Sequence, residues 1–541
     1  MTRNLIARSL LVLALLFGLL YAVGTALAYK LHLPLGWAVG FSITVVALQY
    51  LLGPFILELF FDIRWVEPRE VSPELEAFLK DLCRQRNIPI PRFGVIRDGN
   101  PNAFTFGHLP GNARVVVTQG LLDMLTPEER NAVVAHEIGH VAHYDFLVMA
   151  LASVVPLILY NLYQWSDRAR NQATFLVSIG AYAAYVISQL AVLVLSRLRE
   201  YFADEHAVES VADANAISRA LVKIAYGMAR LPQEAQKKTK KDEVVVKPSR
   251  IAMLGALGIS SMKGSGPLAM AAADGLGSFS EDRMGQAMRW DLWNPWATWY
   301  ELFSTHPLVA HRVAAASKLA VRRGQAPLVA PLGDAPKDLR VAFLRDLLIT
   351  FLPWIGVVLG LLVVGPRQLF TDPEGPWEAL WRHGANFGPL LCLGGLGWIL
   401  RLAFSYKSDC EPRTVASLMA EWDVSRIKPI PGTLKGVVIG RGVPGLFWSK
   451  DLVIQDETGF MVLLYQQPLG ILETWFGLMK AESLIGQEVT VSGWFRRGPS
   501  PYFEANTIQT GDDSEFGCYY RHLQWFLAIV GIGVGLGLML L

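Results

Sequence analysis

The chain holds 541 residues, 52% of them hydrophobic, which is too apolar for one soluble globule and longer than a single domain requires. Its 49 basic residues nearly cancel its 47 acidic ones, so a net charge of +2 supplies no electrostatic case for a nucleic-acid partner. Cys83, Cys392, Cys410 and Cys518 stand far apart, which excludes a CxxC zinc knuckle and a dense disulfide framework and allows a reducing compartment.

The first elements in chain order are two apolar runs, residues 5–27 and 37–61, each long enough for a helix to cross a hydrocarbon core, which takes about 20 residues. A short turn at 30–34 makes residues 1–61 a transmembrane hairpin. Arg3 and Arg8 precede the first run, so the positive-inside rule puts the N-terminus in the cytoplasm and returns the chain there after residue 61. Ala26-Leu27-Ala28 resembles a signal-peptidase site, yet the apolar run is too long for a signal-peptide core and reads as an uncleaved span. The topology after the second run is the same either way.

A soluble segment, 62–145, comes next. Residues 146–165 and 173–196 form a second hairpin (146–197), with Arg197 and Arg199 at its return end on the cytoplasmic side. The second soluble segment, 198–339, contains a charged run at 233–247 and a Gly, Ala and Ser-rich run at 263–282, which read together as a mobile insertion. Residues 344–364 and 387–404 form a third hairpin (340–409), flanked by Arg340, Arg345, Lys407 and Arg413. A third soluble part, 410–522, precedes an apolar anchor at 523–541.

The chemistry-bearing segment lies in the first soluble part. Thr126-Pro127-Glu128-Glu129 is a helix start, with Thr126 as N-cap, Pro127 at the first helical position and Glu129 placed for a capping box. On the helix that follows, His136 and His140 lie four residues apart, so both imidazoles sit on one face and can converge on one tetrahedral zinc. Glu137 is offset by one position, near the metal but free to take a proton from water. This is the H-E-x-x-H arrangement of a zinc hydrolase; two histidines satisfied by hydrogen bonds are the ordinary alternative. His143 shares the face and reads as a solvated helix end. Phe146 stands where metzincins place a third histidine, so the remaining ligand must come from elsewhere. Glu200 and Asp204 share a helix face, so one can ligate while the other supports; Glu205, His206 and Glu209 are rivals that spacing alone leaves open.

These residues resemble the HtpX-type membrane metalloproteases, relatives of the CAAX prenyl proteases within the gluzincin group. The resemblance runs from about the first span to Arg312 and rests on four motifs in order: Asn102-Ala103-Phe104-Thr105-Phe106-Gly107, His136 to His140 with Asp145 beyond, Glu200-Tyr201-x-Ala203-Asp204, and Thr305-His306-Pro307 with Arg312. It implies a zincin-like domain with one zinc per chain, Glu200 as third ligand, Asp204 orienting a zinc histidine, and His306 and Arg312 stabilising an oxyanion or bracing the site. It also implies that the strand Asn102, Ala103, Phe104 pairs with an extended substrate backbone, although by its residues an ordinary core strand beside 115–118 fits equally. The insertion after Asp204 and the added third hairpin and C-terminal domain depart from the simple family pattern.

Within 410–522 the pattern changes to short strands at 434–439, 452–455, 460–465, 488–496 and 503–509, with a hairpin turn at 456–459 and a helix at 469–480. Five strands so interrupted suggest an OB-like small barrel; basic and aromatic residues form no binding stripe, which favours a packing or protein-interaction module over nucleic-acid binding. The expected fold class is α+β: a multi-span helical membrane protein with a zincin-like domain split between 62–145 and 198–339, and a small β-barrel. The expected function is a zinc endopeptidase at the cytoplasmic face of a bacterial inner membrane, acting on polypeptides, membrane or misfolded proteins among them, in quality control. The competing readings are a receptor or scaffold with a structural zinc site, which has no need of Glu137 as a base, and a transporter, which would carry charges inside several spans.

Overall fold

An apolar run that crosses lipid takes up helix, because a helix satisfies its own backbone while a strand needs neighbours. The computed structural model describes residues 35–167, 172–225, 281–330, 333–365, 386–441, 450–498, 500–512 and 514–540. The expected first span and most of the expected insertion, residues 5–27, 233–247 and 263–280, lie outside these. Among the described residues six helices are long and apolar enough to cross a membrane: Val39–Phe60, Asp145–Ser166, Val177–Ser210, Leu339–Val364, Phe387–Ser405 and Tyr520–Leu540. The protein is an integral membrane protein of mixed helix and strand. The chain divides into two units, Met1–Ala269 with Trp299–Ala330, and Met270–Thr298 with Pro331–Leu541.

In the first unit, α1 (Leu35–Phe60) leads into a four-stranded sheet. Its strands are β1 (Ile63–Trp65), β2 (Arg92–Ile96), β3 (Ala103–Phe106) and β4 (Arg114–Thr118), in the order β1-β2-β4-β3. The β2–β4 pair is parallel and the outer pairs antiparallel, which leaves β3 at one edge. Phe61, Ile96, Phe104, Phe106 and Val116 form a buried cluster on this sheet, and Leu57 of α1 packs against it. Helix α2 (Pro73–Gln85) buries Leu75, Leu79, Leu82 and Cys83.

Helix α3 (Pro127–Ala142) begins at Thr126 with the expected capping box: Thr126 Oγ1 accepts from Glu129 N–H, and the Glu129 carboxylate accepts from Thr126 N–H at 3.0 Å. The membrane pair is α4 (Asp145–Asp167) and α5 (Gln172–Ser210). Tyr160 and Tyr163 of α4 meet Tyr185 and Tyr182 of α5 with ring centroids 5.3 and 5.2 Å apart. Asn161 on α4 donates to Ser42 Oγ on α1 at 2.7 Å, a buried polar contact that fixes these two helices where lipid offers no alternative partner. The sequence reading ends the fourth apolar run at residue 196, yet α5 continues unbroken to Ser210, because residues 197–210 hold no Gly or Pro to stop a helix. Helix α6 (Val309–Arg322) turns Arg312, Val313, Ala316 and Ala320 inward.

In the second unit, α7 (Leu339–Val364), α8 (Phe387–Ser405) and α10 (Tyr520–Leu540) are its candidate spans. Small residues let α7 and α8 approach: a Cβ at Gly397 would strike the carbonyl oxygen of Leu352. The chain between α8 and α10 forms β5 (Ile430–Arg441), β6 (Leu452–Gln455), β7 (Phe460–Leu464), helix α9 (Gly470–Met479), β8 (Glu488–Arg496), β9 (Tyr502–Thr510) and β10 (Glu515–Gly517). Antiparallel pairs join β5 to β6, β6 to β7, β9 to β8 and β8 to β5, and a parallel pair joins β7 to β9, so five strands close on themselves as a barrel. Its interior holds Leu434, Ile454, Met461, Val491, Phe495 and Phe503. The expected strand at 434–439 lengthens at both ends because β8 pairs it from Ile430 and β6 pairs it as far as Arg441. The helix Glu281–Trp293 belongs to this unit, held by Trp290 Nε1 donating to Val424 O at 2.7 Å.

Candidate active site

Two helices meet at a glycine to build the site. Gly139 lies between the two histidines, and a Cβ there would stand 3.1 Å from Ala203 Cα and 3.3 Å from His206 Cβ, tight contacts that glycine avoids where α3 and α5 cross. That approach brings Glu200 on α5 to His136 and His140 on α3. One ligand atom from each of the three lies within 4.8 Å of the others. His136 Nε2 and His140 Nε2 are 3.2 Å apart, and each is 3.7 Å from a Glu200 carboxylate oxygen.

The outer nitrogens set the orientation of both rings. His140 Nδ1 lies 2.5 Å from Asp145 Oδ2, and His136 Nδ1 lies 3.1 Å from Asp204 Oδ1. His140 is held by its Nδ1 hydrogen bond to Asp145 and His136 Nδ1 stands beside Asp204 without a hydrogen bond, so the Nε2 atoms of both rings turn inward toward each other. Two converging lone pairs repel, and buried Glu200 Oε2 forms no hydrogen bond, with only the Arg312 Nη1 beside it at 3.3 Å. Two imidazole nitrogens and a carboxylate gathered at one point are a donor set that zinc takes, so the residues present fit a metal. Burial pulls the His140 imidazole down, but its hydrogen bond to Asp145 and the charges of Glu200, Glu137 and Asp145 outweigh this and raise it.

The supports are ionic and buried. Arg312 on α6, fully buried, donates from Nε and Nη2 to the two oxygens of Asp204 at 2.8 and 2.7 Å, and its Nη1 stands 3.3 Å from Glu200 Oε2. Burial disfavours the Arg312 charge, and the Asp204 and Glu200 carboxylates more than restore it, raising its pKa. Arg199 Nε lies 2.9 Å from Asp145 Oδ1, the oxygen that His140 does not use. His306 Nδ1 lies 3.4 Å from Glu200 Oε1.

Glu137 points off this cluster toward the sheet, where Thr105 donates its hydroxyl to Glu137 Oε2 at 2.5 Å. Thr105 is the residue sequence reasoning missed; its signal is alternation, since Phe104 and Phe106 fill the core and the side chain between them must face the other way. Strand β3 is the sheet's edge. Thr118 N–H donates to Asn102 O at 2.9 Å, so Phe104 pairs with Val116 by alternation and the backbone groups of Ala103 and Thr105 face the open edge. The Asn102 side chain folds back to accept from Ala103 N–H at 2.9 Å. The rivals of Glu200 lie elsewhere: His206 Nδ1 is 2.9 Å from Ala135 O, and Glu209 pairs with Arg86. His143 is exposed at the C-cap of α3.

Such a cluster on a capped helix, beside an edge strand and a membrane hairpin, defines a membrane metallopeptidase. The model of peptidase family M48 matches residues 70–320. An HtpX protease homologue of Methanothermobacter thermautotrophicus is 40% identical over 235 residues, covering 43% of this chain and 90% of that protein. Homologues of Moorella thermoacetica and Aeropyrum pernix are 33% and 30% identical, over 38% and 56% of this chain and 75% and 89% of theirs. The solved Ste24p of S. mikatae aligns with 17% identity and a TM-score of 0.36 over 58% of this chain and 65% of that chain. The chain belongs to peptidase family M48, with the HtpX proteases.

Proposed function

We propose that the protein is a zinc-dependent endopeptidase in which His136, His140 and Glu200 hold the ion and Glu137 is the general base. The observation that carries this reading is the division of labour on α3: two imidazoles turned to one point by Asp145 and Asp204, and Glu137 held apart from them by Thr105. When bound, zinc supplies Lewis-acid chemistry that makes water a stronger acid and polarises a carbonyl. Glu137 takes the proton of the attacking water and hands it to the departing amine. Thr105 orients the Glu137 carboxylate. An extended peptide adds to the open edge of β3, where the Ala103 carbonyl and the Thr105 backbone can pair with it, in a mode that reads backbone and tolerates many sequences. His306, beside Glu200, stabilises the oxyanion of the tetrahedral intermediate, while Arg312, already bound to two carboxylates, braces the site.

A backbone-reading site next to membrane helices suits unfolded polypeptides and damaged membrane proteins, which supports a role in quality control at the cytoplasmic face of the membrane. The closed strand order β5-β6-β7-β9-β8, with α9 between the third and fourth strands, supports an OB-like reading of the appended barrel and a role in packing or protein interaction. The test is Glu137→Gln in the purified full chain. Cleavage of an unfolded substrate such as casein should fall by at least about a hundredfold with bound zinc unchanged; undiminished cleavage would sink the mechanism.

A further inference from the structure

A cavity of about 530 Å³ opens in the second unit where α7, α8 and α10 meet the barrel. Trp354 of α7, Trp398 and Arg401 of α8, Arg426, Arg496 of β8 and Tyr520 of α10 contribute to its wall. Glu504 is its one acidic lining residue, and that carboxylate is already taken, by Arg496 Nε at 2.5 Å and by the Tyr406 hydroxyl at 2.8 Å. Arg401 has neither an ion-pair nor a hydrogen-bond partner among the described residues, and it shares the cavity wall with two further guanidinium groups, Arg426 and Arg496. Arg401, half-buried near the end of a membrane helix, therefore presents a positive charge that an anion entering the cavity would neutralise.

The surroundings say where that anion comes from. Arg401 sits one turn before the end of α8 and Tyr520 at the start of α10, helix ends of the kind where basic and aromatic side chains meet lipid headgroups, with Trp398 a turn deeper. Independently, α9 presents Ile471, Trp475 and Met479 outward with 73%, 54% and 64% of their surface exposed. This helix is tied to the chain just ahead of α10: Gln467 Nε2 donates to Gly517 O at 2.6 Å, and the Phe476 and Phe516 rings lie 5.8 Å apart. An exposed apolar helix face beside the root of a membrane span has the chemistry of a bilayer surface contact.

We propose that this cavity seats the phosphate headgroup of an anionic phospholipid, with Arg401 as its principal charge partner and the two tryptophans flanking the glycerol and upper acyl chains. Lipid recognition of this kind arises where basic pockets lie between membrane helices. The site is separate from the peptidase centre and does not depend on it.

Native mass spectrometry of the full chain, released from detergent with equimolar phosphatidylglycerol and phosphatidylcholine, tests the assignment. Wild-type protein should retain phosphatidylglycerol in preference by about fivefold. Arg401→Gln should bring the two lipids to parity, and Arg401→Lys should keep part of the preference. An equal preference in wild type and Arg401→Gln overturns the proposal, as does displacement of phosphatidylglycerol by an equal concentration of inorganic phosphate, which assigns the cavity to the free ion. Photoactivatable phosphatidylglycerol supplies a reading that needs no variant. Crosslinks are expected in peptides containing Trp398 to Tyr406, and crosslinks confined to α1, α4 and α5 overturn the assignment.

Discussion

Asp204 touches no ion in the proposed arrangement, yet it joins three elements: His136 of α3, its own helix α5, and Arg312 of α6. Asp204→Asn removes the charge that Arg312 and the His136 Nδ1–H both face. Bound zinc, measured by competition with a chromophoric chelator, should weaken by about 10- to 100-fold, the usual cost of losing the group that orients a metal histidine. Asp451, at the start of β6 in the barrel, offers a test of pH dependence away from the metal. Burial pushes its carboxyl from 3.8 up to about 6. The folded state therefore holds that proton more tightly than the unfolded state, so stability is penalised above pH 6 and recovers as pH falls from 6 toward 3.8. Asp451→Asn should raise the thermal midpoint of this unit at about pH 7.5, with the difference from wild type vanishing near pH 4; a gain that persists at the acid end contradicts the burial argument.

At the scale of elements, the crossing of α3 and α5 at Gly139 decides whether Glu200 reaches the histidines. Gly139→Ala gains about 1 kcal/mol of helix propensity but presses a methyl onto the Ala203 backbone, at a cost of about 1–3 kcal/mol. The expected net loss is about 1 kcal/mol in stability, accompanied by weaker zinc binding because the two ligand-bearing helices separate; unchanged zinc affinity would mean the crossing has slack. The helix start at Thr126 and the barrel strands were legible in the sequence to within a few residues, since capping and two-residue alternation are local signals. The full length of α5 was legible only in part: hydropathy ends a membrane run at residue 196, whereas the helix itself continues to Ser210.

For the whole molecule, the division into two units has a thermodynamic consequence. A ligand that binds only the folded form stabilises the unit that holds it. Removing metal with a chelator should lower the thermal transition of the unit containing His136, His140 and Glu200, and abolish proteolysis, while the transition of the unit containing the barrel stays in place. Calorimetry reads both, and restoring zinc should return the first transition and the activity together. Joint movement of the two transitions would show that the units unfold as one. The sequence by itself determined the composition of apolar spans, the capped H-E-x-x-H helix and the barrel's strands, because each is written in residues close together along the chain. Only the tertiary structure brought Glu200, among the candidates Glu200, Glu205, His206 and Glu209, into one cluster with His136 and His140, turned Thr105 toward Glu137, and placed the helix Glu281–Trp293 with the C-terminal unit. Each of those depends on contacts between segments distant in sequence, where spacing carries no distance information and only packing does.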